Sequence, residues 1–484
     1  MVRRRALAAA TLVLVAGPFV LAFRTGGFFD GPRVVALVVA WGLVAVVAVA
    51  HGDAVRLVPR DRAARLALAG LALLAAWTAV SATWAPIREA AVDDVQRVAL
   101  YLGALVAAAA LLRPDRALRA LEPAALAGVL AMATFGMSDR LFPWLLTLDR
   151  HFAARLRLEQ PLTYWNAMGL VCAIGLVLAA RLAGDRTRSP ALRVAAAATG
   201  APLGLALYLT FSRGALAAAG VGAVVLLAAA PTWTQLRAAA VVLEAAVLAA
   251  ALGSLFGAIE RYDATYDGRV AQSFAMLAVL AVVVAGAAAF QAWACRAEAA
   301  GVTRMGRLPL PRRTAWLAGA LVAVAAAGFV AASARERSDA PAAGATGQRL
   351  ASLQSNRYEY WRVALDTWAD HPVAGVGTGG FRVEWRARRT ISESALDAHS
   401  LYLETAAELG LVGLLALALA FGGMAGAARR ALRAAPEAAA GPVAVVVTWA
   451  FHAGLDWDWE MPALTLIALL FAGALLALAD RARA

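Results

Sequence analysis

Long apolar runs, separated by short charged stretches, recur along almost the whole chain. A bilayer core of about 30 Å takes roughly 20 residues of helix to cross, and lipid-facing backbone must pair its N–H and C=O groups internally. Such runs predict spans at 6–23, 34–50, 64–84, 95–112, 117–137, 165–184, 194–212, 214–231, 236–256, 270–294, 314–333, 401–428, 442–456 and 461–480. The expected fold is all-α, a polytopic membrane helical bundle of about 14 transmembrane helices. Residues 1–333 would hold spans 1–11 and residues 401–484 spans 12–14, with a long extracytoplasmic loop at 334–400 between them.

Within that loop the pattern changes. After a flexible Ala/Gly/Pro stretch, residues 357–369 place Trp361, Leu365 and Trp368 at helical spacing, predicting an amphipathic helix with those three on its buried face. Asp370, His371 and Pro372 end it, glycines at 375, 377, 379 and 380 make a turn, and a second short helix is expected from Phe381 through Arg389.

Composition agrees with a lipid solvent: of 484 residues 62% are hydrophobic and 16% charged, with a mean hydropathy of +0.69. The net charge of +13 comes from arginine, since the chain has no lysine. With a cytoplasmic amino terminus, the inside loops carry Arg56, Arg60 and Arg62, then Arg113 and Arg116, then Arg186, Arg188 and Arg193. Later ones carry Arg296, Arg304, Arg307, Arg312 and Arg313, then Arg429, Arg430 and Arg433, and finally Arg481 and Arg483, while most acids fall outside. The positive-inside rule therefore places both termini in the cytoplasm. Arg3–Arg5 ahead of the first span look like the head of a signal peptide, but no small-residue cleavage site follows, and a retained anchor is expected. Arginines spread over membrane flanks, without a companion motif, speak against nucleic acid as a partner. Cys172 and Cys295, the only cysteines, make neither a disulfide framework nor a thiolate metal site.

The loop closes on Asp397-Ala-His399-Ser400, an ionisable imidazole at the mouth of a span, where polar groups are costly unless used. From His399 the chain reads His-Ser, nine residues, Gly410, two residues, Gly413. This resembles the H-[NSQ]-x9-G-x-x-G signature of the O-antigen ligase and polymerase family. Arg357-Tyr-Glu-Tyr-Trp361, Asp370-His-Pro372 and Gly375-Val-Gly377 look like that family's R-x3-W, D-x-P and G-x-G run. Thr210-Phe-Ser-Arg213-Gly214 is similar to its S-R-G element, and Tyr164-Trp-Asn166-Ala-Met-Gly169 to its N-x-x-G element. The resemblance covers about residues 160 to 415 and leaves the first five spans described by hydrophobicity alone.

The resemblance implies a GT-C-like membrane glycosyltransferase in the cytoplasmic (plasma) membrane. It would move a glycan from an undecaprenyl pyrophosphate carrier to a hydroxyl on an acceptor glycan or lipid, on the extracytoplasmic face. Partners are then the lipid-linked donor, that acceptor, membrane lipid and other envelope-polysaccharide assembly proteins. The catalytic candidates are His399 as base toward the hydroxyl, and Arg213 and Arg357 as holders of the pyrophosphate, which gains charge as the bond breaks. With arginine in that role no metal and no cofactor is called for, and direct attack would invert the anomeric centre. Candidate substrate-binding residues are Asn166, Tyr164, Arg269, Arg349, Arg362, Asp456, Asp458 and Glu460, the last three lying in an acidic, aromatic turn between the final two spans. The bland readings are snorkelling for Arg213, a solvated helix face for Arg357, a belt anchor for Trp165, and a structural plug pairing with arginines for the turn. The alternative from another class is a transporter or flippase of lipid-linked sugars. Against it, no internal repeat is visible, and the conspicuous polar groups lie in loops and not at mid-span.

Overall fold

The structure is a computed structural model that describes residues 2–51, 57–261, 265–304, 306–308 and 356–482. The described residues are helical and contain no strand, only an isolated bridge between Thr232 and Arg307. In chain order the helices are α1 (Val2–Ala22), α2 (Asp30–His51), α3 (Arg62–Ser81), α4 (Arg88–Leu111), α5 (Asp115–Leu141), α6 (Trp165–Gly184), α7 (Pro190–Ala198), α8 (Gly200–Leu209), α9 (Arg213–Ala229), α10 (Trp233–Gly253) and the short α11 (Gly257–Glu260). Then follow α12 (Tyr266–Ala299), α13 (Arg357–Asp370), α14 (Phe381–Arg388), α15 (Leu401–Ala434), α16 (Pro436–Ala453) and α17 (Pro462–Arg481).

Among the described residues, 11 segments are long and apolar enough to cross a bilayer: α1 to α6, α7 with α8, α10, α12, α15 and α17. Each coincides with an expected span. The other three expectations fare differently: 214–231 corresponds to α9, an apolar helix of 17 residues, and 442–456 to the less apolar α16, which contains Glu437 and His452. The expected span at 314–333 lies outside the described residues. The span expected at 194–212 begins earlier, at Pro190, and is interrupted at Thr199. Pro202 has no N–H to give the carbonyl of Ala198, and the Thr199 hydroxyl turns back to the Ala196 carbonyl at 2.7 Å.

The chain forms two compact units, Met1–Ala120 with Ser355–Ala484, and Leu121–Gln354. In the first, α3 lies against α15, and small residues set the closeness: a Cβ on Gly70 would stand 2.3 Å from the Ala420 nitrogen, and one on Gly423 2.2 Å from that of Ala67. Lipid tails are as apolar as leucine, so helices in a bilayer gain little from hydrophobic burial and much from close backbone packing of this kind. One end of this unit gathers Asp61, Arg113, Arg430 and Asp480: Asp61 caps α3 and pairs with Arg430, and Asp480 accepts the Asp61 N–H at 2.9 Å and pairs with Arg113 at 3.2 Å. The other end gathers Asp93, Arg97, His399 and Glu460 at the opposite termini of α4, α15 and α17, with Arg33 near the start of α2. The second unit packs α6 against α9 and α10, and α8 against α10. Its Glu122, Arg181, Asp185 and Arg188 form a buried ion network, with Arg181 3.0 Å from Asp185 and Arg188 3.2 Å from Glu122.

Candidate functional site

In the first unit the site is built on a break in α15. At Gly410 the backbone turns to φ 61°, ψ −158°, so the N–H groups of Leu411 and Val412 leave the helical ladder. They donate instead to the carbonyls of Pro372 and Val373, at 2.9 and 3.3 Å. Three helix carbonyls are orphaned in return, and each finds a donor. Ala407 accepts from the Val376 N–H at 3.0 Å, Glu408 from Gly377 at 2.9 Å, and Leu409 from the Trp77 indole at 2.9 Å. The approach leaves no room for side chains, since a Cβ on Gly375 would meet the Glu408 carbonyl carbon at 2.2 Å and one on Gly410 the Val373 oxygen at 2.3 Å. The D-x-P, G-x-G and G-x-x-G stretches are thus two halves of one hydrogen-bonded joint. The Glu408 carboxylate completes it by accepting the N–H groups of Gly379 and Phe381 at the start of α14, at 2.8 and 2.9 Å.

His399 sits immediately before this helix with φ 52°, a left-handed conformation rare outside glycine and characteristic of functional sites. The turn is held by Glu404, whose carboxylate accepts the Ala398 N–H at 2.9 Å. The Nδ1 of His399 lies 3.1 Å from the Asp397 carbonyl. A carbonyl can only accept, so Nδ1 carries a proton, and in the neutral ring the lone pair is then on Nε2. The half-buried ring packs on Tyr360 of α13, with centroids 4.9 Å apart, and more loosely on Trp457 at 6.2 Å. Tyr360 leans in turn on Trp385 of α14. Burial raises the Tyr360 phenol well above its usual pKa, with Glu393 adding to the effect. Burial also raises the Asp397 carboxyl, against the lowering pull of His399, Arg97 and Arg382.

Arg357, at the head of α13, pairs with Asp456 and keeps 18% of its side chain exposed against 1% for the carboxylate. Asp458 binds Nδ1 of His452 at 2.6 Å, and Glu460 stands 3.8 Å from Arg97, which also pairs with Asp94. Asp94 accepts the Thr378 hydroxyl at 2.5 Å, tying α4 to the glycine turn. Burial raises the carboxyl of Asp458, opposed by His452, and raises that of Glu460 well above its usual value, opposed by Arg97. All three carboxylates of the acidic turn therefore point into the protein, each toward a cationic or imidazole partner. Arg362 is taken up locally by Glu359, Asp366 and the Arg388 carbonyl. Its hydrogen bonds draw the Glu359 carboxyl down to about 2.

The buried face of α13 differs from expectation. It consists of Tyr360, Trp361, Val363, Ala364 and Thr367, while Leu365 is 46% exposed. The stripe is displaced by one residue because Tyr360, not Leu365, meets Trp385 and His399.

The second unit holds the other candidates. Tyr164 accepts the Asn166 amide at 2.7 Å, and the Arg157 guanidinium lies 3.4 Å over the Trp165 ring, tying that residue into the protein. Arg213 opens α9, where Ser212 caps the helix through the Ala215 N–H at 3.3 Å. A Cβ on Gly169 would fall 2.7 Å from that of Ala215 and 3.0 Å from that of Ser212. The glycine of N-x-x-G is what lets α6 sit on the S-R-G turn, bringing Asn166 and Arg213 onto neighbouring helix starts. Arg269, half-buried, lies in the first turn of α12. Arg349 is outside the described residues.

Among the members of this arrangement that the sequence did not point to are Tyr360, Glu404, Arg97 and Arg382. Of these, Glu404 had a local signal, that of an acid in the first turn of a helix.

Residues 271–418 match the family model described as O-antigen ligase, a stretch that includes Arg357, His399, Gly410 and Gly413. No curated protein matches the chain. The apolar helices and this domain define a multi-pass membrane protein. Over that stretch the chain carries an O-antigen ligase domain.

Proposed function

We propose that this protein is a glycosyltransferase of the O-antigen ligase and polymerase kind, moving a glycan from an undecaprenyl pyrophosphate carrier to a hydroxyl acceptor during cell-surface polysaccharide synthesis. The observation that carries the reading is His399, whose Nδ1–H is spent on the Asp397 carbonyl and whose Nε2 is left as a base on a half-exposed ring. Nε2 takes the proton of the acceptor hydroxyl, the oxygen forms its bond to the anomeric carbon, and the carbon–oxygen bond to pyrophosphate breaks, inverting the centre. Arg357 receives the charge that moves onto the leaving group, as a fixed cationic donor in a partly dry site does, and Arg213 of the second unit is the other candidate for that role. Asp456 orients Arg357, Asp458 orients His452, and the acidic turn supports the site from within. In this reading the chain crosses the cytoplasmic membrane about fourteen times. Both termini are cytoplasmic, and the loop from 334 to 400 is extracytoplasmic and carries part of the active site.

The test is an in-membrane transfer assay with an undecaprenyl pyrophosphate-linked glycan in chelator, comparing the parent with His399→Ala and Arg213→Ala at matched folding. Loss of a general base is expected to cost about 10²–10⁴-fold, and loss of a charge-stabilising donor about 10²–10³-fold. Glycan lipid that crosses the bilayer without any bond being made would instead identify a transporter.

A further inference from the structure

A cleft of the first unit lies apart from His399. A cavity of about 790 Å³ opens between α1 and α2, floored by Leu100 of α4 and Leu466 of α17 and lined almost wholly by apolar side chains. Two glycines widen it: a Cβ on Gly17 or on Gly31 would meet nothing within 4 Å. Its one charged lining residue is Arg24, exposed in the turn between the two helices. Among the described residues Arg24 has no ion-pair partner, whereas Arg33, nine residues on, is fully engaged. Arg33 binds Asp30, Asp93 and the Phe28 carbonyl, fixing the Arg24 turn onto α4. Phe28 stands edge-on to Trp457 at 5.3 Å, and Trp457 is the ring beside His399. The turn that sets Arg24 at the mouth of this apolar trough therefore also carries Phe28, which Trp457 links to the imidazole.

We propose that this trough holds the polyprenyl chain of the donor, with Arg24 on its pyrophosphate. The charge at the mouth complements a phosphate, and continuity with His399 through Phe28 and Trp457 favours the reacting lipid over a bilayer phospholipid. The assignment rests on the glycosyltransferase reading for the identity of the head group. Its test reads binding and not transfer, so the two can fail separately.

Full-length protein in nanodiscs containing undecaprenyl pyrophosphate and excess phosphatidylglycerol would be released into native mass spectrometry and its retained lipids counted. The parent is expected to keep undecaprenyl pyrophosphate. Arg24→Gln should lower retention about tenfold or more by losing a charged contact to phosphate. Gly17→Leu should lower it similarly by filling the trough. Gly42→Leu, also in open space on α2 but outside the trough, should leave it unchanged. Preferential retention of phosphatidylglycerol, retention of neither lipid, or equal retention by parent, Arg24→Gln and Gly17→Leu would overturn the assignment. Normal retention with no transfer would count against the enzymatic reading alone.

Discussion

Leu411 donates its backbone N–H to the carbonyl of Pro372 at 2.9 Å, a bond that an unbroken α15 would have made within itself. The helix and the loop before α14 exchange backbone groups at this joint, so neither can adopt its form without the other. What the joint delivers is position: it fixes Glu408 under the start of α14 and Glu404 under the His399 turn.

Gly410→Ala is the sharpest challenge to it. The new Cβ would need a backbone conformation essentially confined to glycine, costing about 1–3 kcal/mol, and would also strike the Val373 oxygen. A clear drop in melting temperature with transfer abolished is expected, whereas Gly422→Ala on the same helix, in open space, should be neutral. Equal melting temperatures for the two variants would refute the joint.

The pH dependence of stability follows from buried carboxyls outside the spans, Asp397 and Glu460 among them. Burial raises Asp397 and Glu460 above their ordinary values of 3.8 and 4.5. A group whose pKa is higher in the folded state contributes stability that is complete below its unfolded pKa and is lost as pH rises through the folded one. Melting temperature in detergent should therefore fall as pH rises from about 4. Glu460→Gln and Asp397→Asn should flatten that slope. Glu359, drawn down to about 2 by Arg362, acts with the opposite sign at lower pH, and its exposed partner makes it a screened, minor contributor. A melting temperature that climbs across the same range would contradict the assignment.

The sequence exposed the helices and the joint for one reason: both are local. Apolar runs announce spans, and the glycines at 375, 377 and 410 stand where backbones meet. It did not expose Asp94 and Arg97, which read as the polar edge of a hydrophobic run, because Thr378 lies 284 residues from Asp94 and Glu460 lies on yet another connection. The first five spans, which sequence described only as apolar, turn out to supply Trp77, Arg33 and Arg97. Tyr360 escaped notice because a stripe through Trp361, Leu365 and Trp368 differs from the true one by a single residue, and only the packing on Trp385 and His399 chooses between them.

Arg357 and Asp456 separate structural from chemical roles. Arg357→Ala leaves a nearly fully buried carboxylate without this partner, which costs about 3–5 kcal/mol when an ion pair is broken from one side. The double variant Arg357→Ala with Asp456→Ala should recover much of that stability and none of the transfer. If transfer returned with stability, Arg357 would be a structural partner of Asp456 and nothing more.

Glu404 supplies the remaining prediction. Its carboxylate accepts the Ala398 N–H, and the strained backbone at His399 needs that restraint to present Nε2 outward. Glu404→Gln keeps an acceptor oxygen of the same reach and should retain most activity, while Glu404→Leu removes it. For the leucine variant transfer is expected to fall about 10²-fold, the penalty of misplacing a reacting group by an ångström. Lipid retention should stay at the parental level, because the α1–α2 trough does not include this residue. The split matters: a variant that had merely unfolded would lose both, and a Gln variant as inactive as the Leu variant would show that the charge of Glu404, and not its hold on Ala398, is what His399 requires.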